Sequence, residues 1–172
     1  MANSPKRIGA FVGKFLPPHK GHLDQIEICA KDCDVLYVVL ADNKFTTKKL
    51  CQMANIPLMD AKVRVKWLKK HFAGRDNIKV IYMDETKEGL GPFPLGQAKW
   101  SAEFKKLTKN KINVKYADET YRGLNETYFP ECEFVAFERQ EGISGTIIRS
   151  NPKKYIDLII EEGRYFFEDM RY

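Results

Sequence analysis

Short apolar runs alternate with amphipathic stretches along most of this chain. Short stretches with strand character lie at 7–13, 34–41, 77–83, 113–117 and 132–138. The first is continuous and apolar, as is typical of a parallel strand buried on both faces, and the second is predicted to be buried as well. Stretches with helical character lie at 21–33, 61–72, 98–110, 119–129, 144–150 and 152–163, and we expect Gly123 to break the fourth of them. This alternation predicts a Rossmann-like α/β fold, a doubly wound parallel sheet of about five strands with helices on both faces. With no linker or repeat visible, we expect one domain over residues 1–172.

Composition and charge narrow the classes of partner. The 172 residues carry a formal net charge of +6, which favours anionic ligands such as nucleotides and phosphates. The lysines and arginines are scattered, so a nucleic-acid partner is not expected. No apolar run is long enough to predict a membrane span. The 4 cysteines form no CxxC pair and are typical of reduced thiols in a cytoplasmic protein.

The segment GKFLPPHKGH, directly after the first predicted strand, concentrates groups that bind phosphate. Gly13 permits close approach of a ligand to the backbone, and Gly21 and His22 begin a helix whose N-terminus attracts anions. His19 and His22 are three positions apart and can face one ligand, while Lys14 adds positive charge. The alternatives are a zinc site, which lacks a third ligand at a usual spacing, incidental surface histidines, or an ordinary strand–loop–helix joint. A joint explains the glycines but not two histidines.

The segment ISGTIIR at 143–149 offers a second set of phosphate ligands. Ser144 is a natural N-cap residue for a helix that begins here. Thr146 and Arg149 fall on one face of that helix, where a hydroxyl and a guanidinium can donate to polyphosphate oxygens. The alternative is a plain capped helix with a surface arginine.

Together the two segments resemble the G-x-F-x-P-x-H-x-G-H and I-S-x-T-x-x-R motifs of the HxGH nucleotidyltransferase superfamily. The lysine after the first glycine, and the proline two residues before the first histidine, are similar to nicotinamide-mononucleotide adenylyltransferases. RVKWL at 64–68 and GPFPLGQAKWSAEFKKL at 91–107 resemble the adenylyltransferases of NadR-type proteins, and the likeness extends over residues 8–168. Those relatives also carry a DNA-binding segment and a ribosylnicotinamide kinase domain, neither of which we expect in these 172 residues. Family members often have an aromatic residue where Gln97 stands here, which leaves Phe93 and Trp100 as rings that could stack on nicotinamide.

The resemblance implies a reaction of NAD biosynthesis: ATP and nicotinamide mononucleotide as substrates, NAD and pyrophosphate as products, and Mg²⁺ bound with ATP rather than by named protein ligands. It implies an ATP site formed by Gly13, Phe15, His19, Gly21, His22, Asp118, Glu119, Ser144, Thr146 and Arg149. It implies a mononucleotide site formed by Lys14, Asp42, Asn43, Arg64, Phe93 and Trp100. Catalytic roles fall to His22, His19, Lys14 and Arg149.

Several alternatives stay open at this point. Asp42 and Asn43 could form a turn, and Arg64 could lie on a solvated helix face. The Gly- and Pro-rich stretch at 84–97 is predicted to be a loop, and the segment at 91–98 is predicted to be a substrate loop or lid, or else a plain surface loop. The acceptor could instead be flavin mononucleotide, phosphopantetheine or a cytidylyltransferase substrate, or the protein could be a non-catalytic nucleotide sensor. A homo-oligomer is compatible with the sequence, which does not distinguish amidated from deamidated mononucleotide.

Overall fold

A computed structural model describes residues 6–87, 90 and 95–170. The strands of this part of the chain are β1 (Ile8–Gly13), β2 (Val35–Asp42), β3 (Ile78–Asp84), β4 (Val114–Ala117) and β5 (Glu133–Ala136). Its α-helices are α1 (Lys20–Asp32), α2 (Lys44–Met53), α3 (Ala61–His71), α4 (Gln97–Leu107), α5 (Arg122–Tyr128), α6 (Gly145–Ser150) and α7 (Tyr165–Glu168). Short 3₁₀ helices cover Glu119–Tyr121, Ile156–Leu158 and Glu161–Gly163. Within these described ranges, no helix has both the length and the apolar character needed to cross a membrane.

All five strands join one parallel sheet in the order β3-β2-β1-β4-β5. The chain first moves outward from β1 to β3 and then returns to the other side of β1, so the winding direction reverses between β1 and β4. Ligands in sheets of this kind bind outside the carboxyl ends of the strands at that reversal. The predicted fold class, including its five parallel strands, is confirmed.

The core is divided by the sheet into two clusters because successive strand residues point to opposite faces. On one face Leu36, Val38 and Leu40 belong to a cluster that also takes in side chains from α1, α3 and α6. On the other face Val39 and Ala41 join a cluster that includes Phe104 of α4. Helices therefore cover both faces, as the sequence predicts.

The sequence did not predict α2. Asn43 caps this helix by accepting hydrogen bonds from the backbone N–H groups of Phe45 and Thr46 at 3.1 Å. Two of its large apolar side chains, Phe45 and Met53, are 75% and 73% exposed. The residues that the helix buries are Thr47 and Cys51, so its covered face offers none of the large apolar side chains by which the other helices were recognised.

Two further expectations about helices were wrong. Gly123 does not break a helix, since it lies inside α5; its position is open, with no atom within 4 Å of a Cβ placed there. The predicted helix at 152–163 is instead a series of turns and short 3₁₀ segments. Here tertiary contacts prevail over local pattern, because the Ile160 N–H bonds to the Pro18 carbonyl at 3.0 Å and Gly163 packs closely on the Trp67 ring.

Candidate functional site

The two predicted phosphate-binding segments meet at the carboxyl edge of the sheet, beside the reversal between β1 and β4. The Arg149 guanidinium of α6 donates through Nη1 to the Leu16 carbonyl, at 2.6 Å. Gly145 lies so near that a Cβ there would come within 2.7 Å of the same carbonyl oxygen, which explains why α6 starts with glycine. Segments far apart in the sequence thus form one site.

The loop after β1 is held at every second carbonyl. The bonds run from Arg64 Nη1 to Lys14 O (2.6 Å), from Arg149 Nη1 to Leu16 O (2.6 Å) and from Ile160 N to Pro18 O (3.0 Å). Between the first two lies Phe15, which is fully buried and has φ of 50°, a left-handed conformation that is unfavourable for a bulky residue. Contacts from α3, α6 and the C-terminal region therefore fix the loop in a conformation it would not adopt alone.

The two histidines stack on each other at the start of α1, with ring centroids 3.7 Å apart and planes inclined by 26°. The backbone N–H of His19 donates to His22 Nδ1 at 3.3 Å. Because Nδ1 accepts, a neutral His22 carries its proton on Nε2, which is then a donor. The Phe15 ring packs against the His22 ring, with centroids 4.8 Å apart, and helps to hold this orientation.

Both imidazoles are neutral at pH 7 when no ligand is bound. Burial lowers the pKa of His19 to about 4. The pKa of His22 falls well below its usual value through burial first, and then through the positive charges of His19 and Arg139. His19 Nδ1 is buried without a hydrogen-bond partner in the described structure. Such an unmet group is uncommon in proteins and is consistent with a site that a ligand completes.

Arg149 carries a buried positive charge. Its side chain is 8% exposed, and no ion pair to it is formed by the residues that the structure describes. Burial lowers its pKa. Nη2 lies 3.3 Å from Thr146 Oγ1, and Ser144 Oγ accepts the Ile147 N–H as the N-cap of α6. Since buried charges are usually paired, this guanidinium favours an anionic ligand.

The structure corrects the roles predicted for Asp42 and Arg64. They form a salt bridge of 2.6 Å, and their side chains are 3% and 0% exposed, so neither presents a surface to a mononucleotide. Arg64 is not on a solvated helix face either. Asn43 uses its side chain as the N-cap of α2. The Phe15 side chain, predicted at the ATP site, is likewise enclosed in the core.

Lys14, by contrast, is exposed and takes part in no ion pair within the described ranges, so its ammonium is available to a ligand. At the end of β4, Asp118 lies 3.6 Å from Arg139, while Glu119 pairs with Arg122 at the surface. The proximity of Arg139 to both Asp118 and His22 makes it a candidate ligand that sequence reasoning missed.

Trp100 lies near the end of β3. Its ring stacks on Phe104, with centroids 5.1 Å apart, and its Nε1 donates to Glu85 Oε1 at 2.9 Å. Glu85 was not recognised in the sequence. Phe93, the other predicted stacking ring, lies outside the described residues, as does part of the predicted substrate loop.

No group of three or more His, Cys, Asp or Glu side chains in the described part of the chain could hold a metal ion.

We expect the two histidines at the start of α1 to make the folded protein sensitive to mild acid. Their folded-state pKa values lie below the unfolded value of about 6.5, so the unfolded state binds more protons and the free energy of unfolding falls as pH drops from about 6.5 towards 4. One histidine contributes at most about 1.4 kcal/mol per pH unit. The free energy of unfolding, measured by urea denaturation at several pH values between 7 and 5, should depend less steeply on pH for His19→Gln than for the parent. Equal slopes would mean that His19 titrates normally.

Known proteins resemble this chain both in sequence and in fold. The chain is 29% identical over 174 residues to the trifunctional NAD biosynthesis/regulator protein NadR of Escherichia coli, covering 94% of this chain and 41% of that protein. It is 28% identical over 177 residues to the probable nicotinate-nucleotide adenylyltransferase of a Nitratiruptor species, covering 91% of this chain and 95% of that one. A crystal structure of NadR protein in complex with NAD and AMP-PNP superposes with a TM-score of 0.73 at 25% identity, covering 94% of this chain and 47% of its own.

The family comparison covers both phosphate-binding segments. Residues 10–151 match the cytidylyltransferase-like family, and this range takes in the loop after β1, the strands β2 to β5 and all of α6. The chain therefore belongs to the cytidylyltransferase-like family of nucleotidyltransferases.

Proposed function

We propose that this protein transfers the adenylyl group of ATP to nicotinamide mononucleotide, forming NAD and pyrophosphate. The observation that carries the proposal is the convergence of a neutral His22 donor and an unpaired, buried Arg149 on one loop at the reversal of the sheet. It is supported by the names of the relatives, which concern NAD biosynthesis and nicotinate-nucleotide adenylyl transfer. The chain spans 41% of the NadR relative, so only this one activity is proposed.

The reaction needs positioning more than proton transfer. An oxygen of the mononucleotide 5′-phosphate attacks the α-phosphorus of ATP, the bond from that phosphorus to the bridging β-phosphate oxygen breaks, and pyrophosphate leaves. The attacking phosphate is already anionic near pH 7, since the second pKa of a phosphate monoester is about 6. No general base is required, and the residues supply orientation and charge stabilisation.

Each group of the site has a role in this scheme. His22 Nε2 donates to the α-phosphate oxygens, where charge increases as the reaction proceeds. Arg149 and Thr146 bind the departing pyrophosphate, and Lys14 neutralises charge between the two substrates. His19, stacked behind His22, contributes to ATP binding. Anionic phosphate next to the histidines raises their pKa values, because a nearby negative charge favours the imidazolium form.

Magnesium fits this scheme as a companion of ATP. The described residues offer no metal-binding cluster of their own. Mg²⁺ in nucleotide sites is held largely by phosphates and water, where it neutralises phosphate charge.

In this scheme the adenosine of ATP lies beyond the carboxyl end of β4, and the mononucleotide lies beyond the ends of β2 and β3. Asp118 follows β4 and caps the Glu119–Tyr121 turn. Arg139 lies 3.6 Å from the Asp118 carboxylate, is exposed, and its charge acts on His22, so we propose that it also binds the triphosphate. Glu119, paired with Arg122 at the surface, is the weaker candidate for ATP contact.

We expect Trp100→Ala to weaken mononucleotide binding more than ATP binding. Trp100 presents an aromatic ring beside the ends of β2 and β3, and the loss of one stacking contact should cost on the order of 1 kcal/mol. Separate calorimetric titrations with ATP and with mononucleotide would measure this. Trp100→Phe is the control, since it keeps a ring while losing the bond to Glu85. Equal loss for both ligands, or only a fall in thermal stability, would assign Trp100 to the core.

The charge near Trp100 bears on which mononucleotide is used. Nicotinamide mononucleotide contains a cationic pyridinium ring and a neutral amide, whereas the deamidated form adds a carboxylate. Asp84 and Glu85 place carboxylates at the end of β3, while Lys44 and Lys87 lie close to Asp84 and Lys115 lies 5.7 Å from the Trp100 ring. Charges of both signs therefore surround this position, and both forms of the mononucleotide belong in the panel of acceptors.

A panel of acceptors tests the proposed function. The protein would be incubated with ATP or CTP and with amidated or deamidated mononucleotide, flavin mononucleotide or phosphopantetheine, and pyrophosphate release would be measured. We expect the highest kcat/KM with ATP and nicotinamide mononucleotide. Faster turnover of flavin mononucleotide, phosphopantetheine or CTP would replace the proposed acceptor or donor. Tight ATP binding with no release for any pair would identify a nucleotide sensor.

A further inference from the structure

The buried ion pair between Arg64 and Asp42 has no surface for a ligand, yet it touches the active-site loop. Arg64 Nη2 binds Asp42 Oδ1 at 2.6 Å, Nε donates to the Met59 carbonyl at 3.0 Å, and Nη1 donates to the Lys14 carbonyl at 2.6 Å. One guanidinium thus joins the end of β2, the segment before α3 and the loop after β1.

We infer that Arg64 is a positioning residue for the nucleotidyl-transfer site, acting through the loop that carries Lys14. The inference rests on the proposed function only where kcat and KM are measured. Arg64 itself touches no substrate. Its contribution is to hold the Lys14 carbonyl, and with it the backbone on which the Lys14 side chain and the following left-handed Phe15 depend.

The surroundings of the pair keep the guanidinium in a single orientation. Asp42 is the last residue of β2 and also accepts the Thr47 hydroxyl of α2, at 2.5 Å, on the same carboxylate oxygen. Three donors of Arg64 therefore have fixed and differently directed acceptors. A planar guanidinium can serve all of them at once, whereas a lysine ammonium can reach only part of the set.

The left-handed conformation of Phe15 explains why the loop needs a fixed support. That conformation is costly for a bulky side chain and persists only where its surroundings over-determine it. Arg64 and Arg149 hold the carbonyls on either side of it. Release of either carbonyl should let the loop relax and move the Lys14 ammonium away from the phosphates. Misplacement of a positioned group by about 1 Å can reduce rate by about 10²-fold.

Arg64→Lys is the variant that tests this role. It keeps a positive charge beside Asp42 and should remain folded, but it cannot reproduce the full set of bonds. We expect kcat to fall by about 10- to 100-fold, with a much smaller change in KM for either substrate. In a Lys14→Ala background, the same substitution should cost far less, because its effect passes through Lys14.

Asp60→Ala is the matched control, since Asp60 caps the same helix through the Lys62 N–H and does not touch the loop. It should lower stability while leaving kcat per folded molecule unchanged. Hydrogen exchange gives a readout independent of the acceptor: the loop amides at 14–16 should exchange faster in Arg64→Lys and not in Asp60→Ala.

Each outcome decides between the roles. Unchanged loop exchange and unchanged kcat in a folded Arg64→Lys protein would overturn the inference and leave a purely structural ion pair. A rise in mononucleotide KM without a fall in kcat would make Arg64 a substrate ligand instead. Absence of NAD formation by the parent protein would overturn the proposed function alone, and the exchange comparison would still decide whether Arg64 holds the loop.

Discussion

Replacement of His22 by alanine should reduce kcat by about 10²-fold or more, the scale of one lost preorganised donor, while ATP binding weakens much less. His22 Nδ1 accepts the His19 N–H, so Nε2 carries the proton that the α-phosphate requires. Charge on the α-phosphate oxygens increases only as the reaction proceeds, so the contact is stronger in the transition state than in the ground state. Steady-state kinetics together with ATP titration would measure the two effects separately.

A second substitution distinguishes catalysis from helix capping. His22 stands at the third position of α1, where glutamine can also accept the backbone N–H of the capping residue. His22→Gln should therefore keep the stability of α1 and still lose turnover. His19→Ala should affect ATP binding relatively more than kcat. A folded His22→Ala enzyme with near-normal kcat would remove His22 from the mechanism and leave the fold assignment intact.

Replacement of Arg149 should have the second large effect. Arg149→Ala removes the buried charge that faces the leaving pyrophosphate, so kcat/KM for ATP should fall. A lost charge-assisted hydrogen bond costs about 1.5–3 kcal/mol, which is roughly 10- to 150-fold. The apparent requirement for ATP should rise because the β- and γ-phosphates are already bound in the ground state. Turnover should fall because negative charge grows on the leaving pyrophosphate in the transition state, where the lost contact is strongest. Initial rates over a range of ATP concentrations would measure both.

Asn113→Ala provides the control for lost backbone bonds. The Asn113 amide donates to the Lys6 carbonyl and accepts the Ile8 N–H, next to the first residues of β1 and β4 and at the edge of the sheet opposite the loop after β1. It should lower stability without a selective loss of ATP use. An Arg149→Ala protein with unchanged kcat/KM for ATP would refute the assignment of Arg149 to the triphosphate.

β1 and most of β2 were predictable because they are apolar runs, and strands buried on both faces require that composition. β3, β4 and β5 were predictable although each contains a charged residue, Lys79, Lys115 or Glu133, because the rest of each run is largely apolar.

Helices with one apolar face were predictable because their apolar residues recur at helical spacing, as α3 shows with its buried Trp67 and Leu68. α2 was missed because the residues that it buries, Thr47 and Cys51, are not large apolar side chains, while its Phe45 and Met53 remain exposed. The region 152–163 carried a misleading signal, since its backbone is shaped by contacts with the loop after β1 rather than by its own periodicity.

Site residues were predictable where several of them lie in one short segment, as the two histidines of the loop after β1 do. Residues whose roles depend on distant partners were not. Arg64 has the spacing of a helix-face residue, and only the fold shows that it reaches the Lys14 carbonyl 50 positions away. Arg139 and Glu85 likewise follow strands in unremarkable segments, and their importance comes from neighbours that the sheet order brings close.

The central claim is the transfer of an adenylyl group from ATP to nicotinamide mononucleotide. The most direct measurement is to incubate the protein with magnesium, nicotinamide mononucleotide and ATP radiolabelled on its α-phosphate, and to separate the products. We expect the label in NAD, formed in equal amounts with unlabelled pyrophosphate, and its loss in the folded His22→Gln protein. Label that remains in ATP, or that appears only in AMP, would contradict the claim.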